Sequence, residues 1–377
     1  MKQEVYFGLG SATHLEAVLR RYGVSNLFLV TGSGSFCLSG ASDAIAQALS
    51  RVNVVHFARV LRIPTTEDVE KGLSLFQQGR FDAILAVGGG SVIDVAKLVN
   101  AYSSRTRKSA RPAFPARGRL KATVPLIAMP TTAGSGSETT HFAVLYRNGK
   151  KYSVEDRSLL PAVAVIDPQF TFSLPPYATA TSGMDALSQA IESYWSVNST
   201  EESKRYARES IQLVLGNLRS AVEKPSPENR LNMSRAAYLA GKAINITRTT
   251  GPHAVSYPLT AFFGVAHGHA VSLTLPHFVV YNAAVTEQDV ADPRGVRYVR
   301  KITQEISSLL GAANAQDASL KIKSLMGEIE LATSLRGVGI EREKDILKLV
   351  RNANLQRMRN NPRRVTSSSL FELLRAA

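Results

Sequence analysis

Ala83-Ile84-Leu85-Ala86-Val87-Gly88-Gly89-Gly90-Ser91-Val92-Ile93-Asp94-Val95-Ala96-Lys97-Leu98-Val99 reads as a buried strand, a tight glycine turn and the first turns of a helix. Glycines let the main chain approach a phosphate closely, and the N–H groups that open a helix, aided by its dipole, attract an anion. Ser91 stands where a helix N-cap is expected, with Asp94 at the capping-box position three residues on. Such a turn can be purely structural. In this strand–turn–helix context the reading favours a pyrophosphate held by Gly88, Gly89, Gly90, Ser91 and Asp94.

Around this stretch, strand-like and helix-like segments alternate through the first 170 or so residues. Val5–Phe7, Asn26–Thr31, Val54–Phe57, Asp82–Val87, Val124–Met129 and Ala162–Ile166 read as short buried strands. Ala12–Tyr22 and Thr66–Gln78 carry helical periods between them. Such alternation predicts an α/β domain with a parallel sheet and helices on both faces. Arg147-Asn148-Gly149-Lys150 has hairpin-turn chemistry and predicts a small antiparallel excursion. A second polar turn, Thr131-Thr132-Ala133-Gly134-Ser135, ends the strand before it and offers hydroxyls at the carboxyl edge of the sheet. Alone it could be a flexible loop; beside the glycine turn it reads as the other wall of a nucleotide cleft. After Leu174-Pro175-Pro176 the strand signals stop, and helical patterns occupy Thr181–Ser196, Glu201–Val222, Asn229–Ile246, Val290–Leu310 and Ala318–Ser334. The expected domains are therefore 1–175, α/β and dinucleotide-binding, and 176–377, all-α.

Composition narrows the class. A 377-residue chain with 44% hydrophobic residues can bury two cores. One cysteine, Cys37, permits neither an internal disulfide nor a Cys-rich metal site. No apolar run suits a membrane span or a signal peptide, so a cytoplasmic protein without a membrane partner is expected. The net charge of +15 is partly clustered, with seven Lys or Arg in Arg105–Lys121 and five Arg in Arg351–Arg364. With one aromatic, Phe114, in the first cluster and none in the second, neither offers a base-stacking platform. No nucleic-acid partner is expected, and both clusters read as solvated loops and helix ends.

Phe7-Gly8-Leu9-Gly10, GGGSVIDVAK (Gly88–Lys97), PTTAGSGSE (Pro130–Glu138), SGMDALSQAIESY (Ser182–Tyr194) and the segment His253–His277 together resemble the iron-containing (group III) alcohol dehydrogenase family over nearly the whole chain. The resemblance implies a Rossmann-like N-terminal domain, a helical C-terminal domain that binds metal and substrate, and a homodimer, an architecture shared with dehydroquinate synthase. It also implies a divalent metal, Fe2+ or Zn2+, with Asp185, His253 and His267 as ligands. Family members have histidine at the fourth position, where this chain has Gln189. A glutamine amide oxygen is a weaker donor than imidazole, and three ligands still suffice for a catalytic metal with open positions. A family histidine four residues after the first metal histidine is replaced by Tyr257, which could supply a proton or simply pack against Pro258. His269 is expected near the metal or in a proton relay, and His277 is expected to cap or pack within a helix after Pro276.

Family members that prefer NAD often carry an acidic residue after the second strand. Here Thr31-Gly32-Ser33-Gly34-Ser35 places Gly32 at that position, so Gly32, Ser33 and Ser35 leave room for a 2′-phosphate. NADP(H) is therefore favoured over NAD(H), although an ordinary glycine turn has the same composition. The pocket stretch AGKAINITRTTGPH (Ala240–His253) carries Lys242, Arg248 and Thr249, suited to an anionic head group. The alternative for Lys242 and Arg248 is a solvated helix terminus favoured by the dipole. Ser182–His277 as a whole is similar to the family's phosphonoacetaldehyde reductases, which implies reduction of a small anionic aldehyde to a primary alcohol in phosphonate biosynthesis. A general short-chain alcohol dehydrogenase, a maleylacetate-type reductase and a dehydroquinate synthase-like lyase or cyclase are the competing readings. A non-catalytic nucleotide sensor would have no need of the metal triad.

Overall fold

The computed structural model describes residues 3–60, 63–104, 120–147 and 150–377, so most of the basic stretch Arg105–Lys121 lies outside the described residues. The chain divides into two compact units, Met1–Leu174 and Pro175–Ala377.

The first unit is built on a parallel sheet of β1 (Glu4–Phe7), β2 (Asn26–Gly32), β3 (Asn53–Val60), β4 (Ala83–Gly88), β5 (Leu126–Pro130) and β8 (Val163–Ile166), in the order β1-β8-β5-β4-β2-β3. β6 (Phe142–Arg147) and β7 (Lys150–Glu155) form a separate antiparallel pair with Arg147 opposite Lys150; Asn148 and Gly149 of the expected turn lie outside the described residues. Helices α1 (Leu15–Arg21), α2 (Ser35–Leu38), α3 (Ala41–Leu49), α4 (Thr66–Phe76) and α5 (Gly90–Ser103) connect the strands.

The central strands β2, β4, β5 and β8 read as nearly unbroken apolar runs because both faces are buried, whereas the edge strands β1 and β3 are partly exposed. Leu27, Leu29, Leu85, Val87, Ile127 and Met129 pack in one core with residues of α1 and α3. Phe28, Val30, Ile84, Ala86, Leu126 and Ala128 pack in the other with residues of α4 and α5. Strand order reverses between β2 and β4, the kind of switch point where open α/β sheets bind ligands. The carboxyl ends of the adjacent strands β2, β4 and β5 thus bring three turns side by side: Gly32–Ser35, Gly88–Ser91 and Thr131–Ser135.

The second unit is helical: α6 (Pro176–Trp195), α7 (Glu201–Glu223), α8 (Pro227–Thr247), α9 (Gly251–Phe263), α10 (His267–Ala283), α11 (Val296–Leu309), α12 (Ala315–Glu328), α13 (Glu343–Asn352), α14 (Leu355–Met358) and α15 (Ser367–Arg375). Among the described residues, no helix is long and apolar enough to cross a membrane. Thr200 caps α7 and Ser226 caps α8, each through a capping box. α6 is buried along most of its length and packs against α7, α8 and α10. Proline does not begin a new helix at Pro276, because α10 runs through it, so His277 lies inside α10 and not in a helix that follows the proline. α11 likewise starts at Val296, six residues later than the sequence pattern suggested.

α10 reaches α6 through one glycine. A Cβ on Gly268 would stand 1.8 Å from the Thr181 carbonyl oxygen and 3.1 Å from the Asp185 Cβ. Backbone meets backbone there, so no rotamer change relieves the clash. Gly268→Ala is expected to lower the melting temperature by about 3–10 °C and to weaken divalent-metal retention in parallel. Calorimetry with metal analysis of the purified variant checks both, and an unaltered melting temperature would refute the close-approach argument.

Candidate active site

In the first unit the two phosphate-type turns are locked together. Gly90 has no room for a side chain, since a Cβ would lie 2.6 Å from Ser135 Oγ. The Thr131 N–H donates to the Gly88 carbonyl at 3.0 Å, and the Thr132 side chain stands 3.4 Å from where a Gly89 Cβ would be. Gly88, Gly89, Gly90 and Ser91 therefore share one edge with Thr131, Thr132 and Ser135. The helix cap differs from expectation. Gly89, not Ser91, is the N-cap of α5, and no side chain caps it; Ser91 already lies in the first helical turn. Asp94 closes no capping box. Its Oδ1 accepts from Ser137 Oγ at 2.6 Å and its Oδ2 from the Val144 N–H at 2.9 Å, tying α5 to the second turn and to β6.

Behind these turns lies a buried charge cluster that the sequence reading passed over. The Lys97 ammonium is fully buried and donates to Ser137 Oγ (3.0 Å), the Thr140 carbonyl (2.9 Å) and the Phe142 carbonyl (2.7 Å). Burial pushes Lys97 down to about 8, opposed by the charge of Asp94 and then of Glu138, and pushes Glu138 up to about 7, opposed by a main-chain hydrogen bond and then by Lys97. An acid and a lysine inside quoted motifs carried the signal, but spacing alone does not show that they are buried.

At the end of β2, a Cβ on Gly32 would lie 2.5 Å from Ser35 Oγ. The turn thus closes over the position where an acidic side chain would need to emerge, while Ser33 and Ser35 remain exposed. Thr31 Oγ1 and His56 Nε2 are 2.8 Å apart, fastening β2 to β3 at this turn.

In the second unit, Asp185, His253 and His267 each offer a ligand atom, and these atoms lie within 4.8 Å of one another. They come from α6, the start of α9 and the first residue of α10. Asp185 Oδ1 is 3.3 Å from His253 Nε2, and the two histidine rings stand 5.3 Å apart, nearly perpendicular. Burial alone would raise Asp185, but His253 and His267 hold it down to about 2. Burial would likewise lower His253, yet Glu192 and Asp185 raise it to about 9. One carboxylate and two imidazoles converging in a buried site suit a borderline divalent cation, with the His253 Nε2 proton displaced on coordination. Gln189 lies one helical turn beyond Asp185 and hydrogen-bonds it.

Glu192, which lies in the SGMDALSQAIESY motif but was given no role there, organises this site. Its buried carboxylate accepts from Thr250 N–H (3.1 Å), Thr250 Oγ1 (3.0 Å), the His253 N–H (3.1 Å) and His253 Nδ1. Asp185, Gln189 and Glu192, at i, i+4 and i+7, share one face of α6, a spacing that could have flagged it. A carboxylate on Nδ1 fixes the imidazole tautomer and aims Nε2 at the metal position.

Other expected residues sit elsewhere. Tyr257 is buried one turn beyond His253 on the same side of α9. His269 donates no side chain to the cluster. Its Nε2 meets the Ala332 carbonyl at 2.9 Å and its ring the edge of Tyr177, because residues two apart on a helix diverge by about 200°. His277 is pushed down to about 4 by burial and then by Lys323. The Lys242 ammonium is also committed away from a substrate role. It lies 4.3 Å from the Tyr206 ring centroid and 5.6 Å from that of Tyr238, a cation–π seat between α7 and α8. Thr249 is buried, and Arg248 has φ +61° and ψ 176°, a conformation used almost only by glycine.

A phosphate-type sheet edge in one unit and a buried Asp–His–His set in the other define a metal-dependent nicotinamide oxidoreductase. The chain matches the iron-containing alcohol dehydrogenase family over residues 2–168 and the C-terminal region of the Fe-containing alcohol dehydrogenase family over residues 179–377, and it belongs to that family. It is 35% identical to the phosphonoacetaldehyde reductase of Streptomyces viridochromogenes over 82% of this chain and 80% of that one. Its fold superposes on the sulfoacetaldehyde reductase of Bifidobacterium kashiwanohense, solved in complex with NAD+, with a TM-score of 0.85 and 28% identity over 99% of this chain and 96% of that one. An iron-containing alcohol dehydrogenase from Thermotoga maritima gives a TM-score of 0.84 and 28% identity, covering 100% and 98% of the two chains.

Two outcomes test the site. Glu192→Gln is expected to weaken divalent-metal binding by about 10- to 100-fold, read by competition against a chelator; unchanged affinity would remove the orienting role. Glu138 titrates near 4.5 when unfolded and near 7 when folded, so the folded state holds the extra proton between those values and loses stability as pH rises through them. Relative to Glu138→Gln, wild-type melting temperature is expected to fall between about pH 5 and about pH 8, and parallel profiles would contradict the burial of that charge.

Proposed function

We propose that the protein reduces a small anionic aldehyde, foremost phosphonoacetaldehyde, to the primary alcohol, here 2-hydroxyethylphosphonate. It takes NADPH in preference to NADH and one Fe2+ or Zn2+ per chain. When bound, the metal polarises the carbonyl as a Lewis acid and the dihydronicotinamide supplies the hydride. The chain's own residues do the rest. Asp185, His253 and His267 hold the metal, with Gln189 beside them, while Glu192 keeps the His253 ring oriented. Gly88–Ser91, Thr131, Thr132 and Ser135 cradle the pyrophosphate, and Gly32, Ser33 and Ser35 accommodate the 2′-phosphate. Tyr257, one turn from His253, delivers the proton that completes the alcohol. A cytoplasmic homodimer belongs to the same reading.

The observation that carries the anionic substrate is the backbone of Arg248. A non-glycine residue at φ +61° and ψ 176° costs on the order of 1–3 kcal/mol and persists only when its surroundings hold it. They do so here. Thr247 Oγ1 meets Ser193 Oγ at 3.0 Å, Ser196 Oγ donates to the Thr247 carbonyl at 3.1 Å, and Asn360 Nδ2 donates to the Thr249 carbonyl at 2.9 Å. A strained arginine five residues before a metal histidine suits recognition of an anionic head group. Two relatives named for acetaldehydes bearing phosphonate or sulfonate support the same class.

Following NADPH and NADH oxidation with phosphonoacetaldehyde, acetaldehyde and propanal, with and without added Fe(II) or Zn(II), tests the reading. The kcat/KM for phosphonoacetaldehyde is expected to exceed that for propanal by at least about tenfold, with NADPH ahead of NADH. Equal turnover of neutral aldehydes would leave a general alcohol dehydrogenase, and reaction without net NAD(P)H loss would point to a cyclase or lyase.

A further inference from the structure

Ser256 lies on α9 between His253 and His267 in the chain, and no role described so far uses it. It is fully buried, about one helical turn after His253. Its Oγ donates to the His253 carbonyl at 2.8 Å and stands 3.4 Å from His267 Nδ1. The first contact is ordinary, since helical serines commonly return their hydroxyl to a carbonyl in the preceding turn. Ser188 and Ser272 do the same toward Met184 and His269. The second contact sets Ser256 apart.

The fold brings the ring to the hydroxyl. Gly264, at φ +68°, ends α9 in the left-handed region that favours glycine. The chain then reverses, and α10 begins at His267 and packs back against α9. A hydroxyl carries one proton and two lone pairs. With its proton on the His253 carbonyl, Ser256 has only a lone pair to offer, so His267 Nδ1 brings the proton. That leaves Nε2 of His267 unprotonated, its lone pair available to a cation. His253 is held in the same sense by a different group, because Glu192 takes its Nδ1 and leaves Nε2 toward Asp185.

We propose that Ser256 is a positioning residue of the metal site, which fixes the tautomer and ring orientation of His267 and ties both to the main chain of His253. The inference rests on the reading of Asp185, His253 and His267 as the metal ligands. One histidine is thereby oriented by a carboxylate and the other by a neutral hydroxyl. The two orienting groups meet at His253, where Glu192 accepts the main-chain N–H and Ser256 donates to the carbonyl. Both imidazoles are then held in register with each other.

The test reads metal binding in the full chain, with Co2+ as the probe. Ser256→Ala is expected to weaken Co2+ binding by about 10- to 100-fold in competition with a chelator, and to alter the visible absorption of the bound ion. Ser256→Thr keeps the hydroxyl and should stay within about threefold of wild type. Ser256→Cys keeps the volume but offers only a weak acceptor, so it should fall with alanine, and it carries the test should the alanine variant fail to fold. A merely structural serine would lower the melting temperature of the metal-free protein and leave Co2+ affinity and spectrum as in wild type, which would overturn the proposal. An equal loss of affinity in Ser256→Thr at an unchanged melting temperature would overturn it as well. If wild type itself binds no Co2+, the metal reading falls and the role of Ser256 with it. If wild type binds Co2+ and only Glu192→Gln weakens it, Ser256 alone is excluded.

Discussion

Most of the second unit's chemistry hangs on where one carboxylate, Glu192, is buried. The N-terminus of α9 has no side-chain cap of its own at Thr250. Glu192 reaches it from α6 and accepts from two of its main-chain N–H groups, from the Thr250 hydroxyl and from the His253 ring. A negative charge at a helix N-terminus is favoured by both the orphan donors and the dipole. The same contact fixes three things at once: the start of α9, the tautomer of His253 and the end of the loop that carries Arg248. Trp195 Nε1, donating to Thr250 Oγ1 at 2.9 Å, closes the arrangement from the next turn of α6. Removing the carboxylate would therefore loosen backbone and ligand together.

The two units handle buried charge differently. In the first, Lys97 is solvated by carbonyls and hydroxyls, and its nearest carboxylate, Asp94, stands 4.0 Å away. Asp94 in turn bonds Ser137 and the Val144 amide. These groups spread their interactions over α5, the turn after β5 and β6, so they act as a rivet between phosphate-type turns. In the second unit, Asp185 and His253 face each other directly and shift each other's proton affinity in opposite directions. Groups aimed at one point suit a cation; groups dispersed into the backbone suit rigidity.

Much of this was legible in the chain because it rests on short-range periodicity. The apolar runs of β2, β4 and β5, the glycines after β4 and the helical patterns of α6, α7 and α8 all follow from residue spacing. The parts that were not legible depend on what residues distant in sequence bring near. Ser91 was misplaced as a cap because the helix starts two residues earlier than its hydroxyl suggests, and Asp94 found partners 43 and 50 residues away. Lys242 stood in the right segment, but Tyr206 on the neighbouring helix captured its charge. Glu192 lies in the SGMDALSQAIESY motif on the same helix face as Asp185, but its partners Thr250 and His253 are 58 and 61 residues away. Gly268 lies between His267 and His269, and α10 could not approach α6 with a side chain there.

Strain and burial converge on the loop before His253, and their combination is more informative than either. A positive φ at Arg248 alone could be the by-product of ending α8 without a glycine, since helices commonly close with a left-handed residue. Its ψ of 176° lies far from that left-handed cap geometry, so the chain turns outward instead of wrapping the helix end. Ser193, Ser196, Asn198 and Asn360 hold Thr247 to Thr249 from several directions, more restraint than a helix terminus requires. A glycine at position 248 would relieve the backbone at no steric cost. The chain holds an arginine there, and the strained turn persists because these four side chains hold the residues on both sides of it.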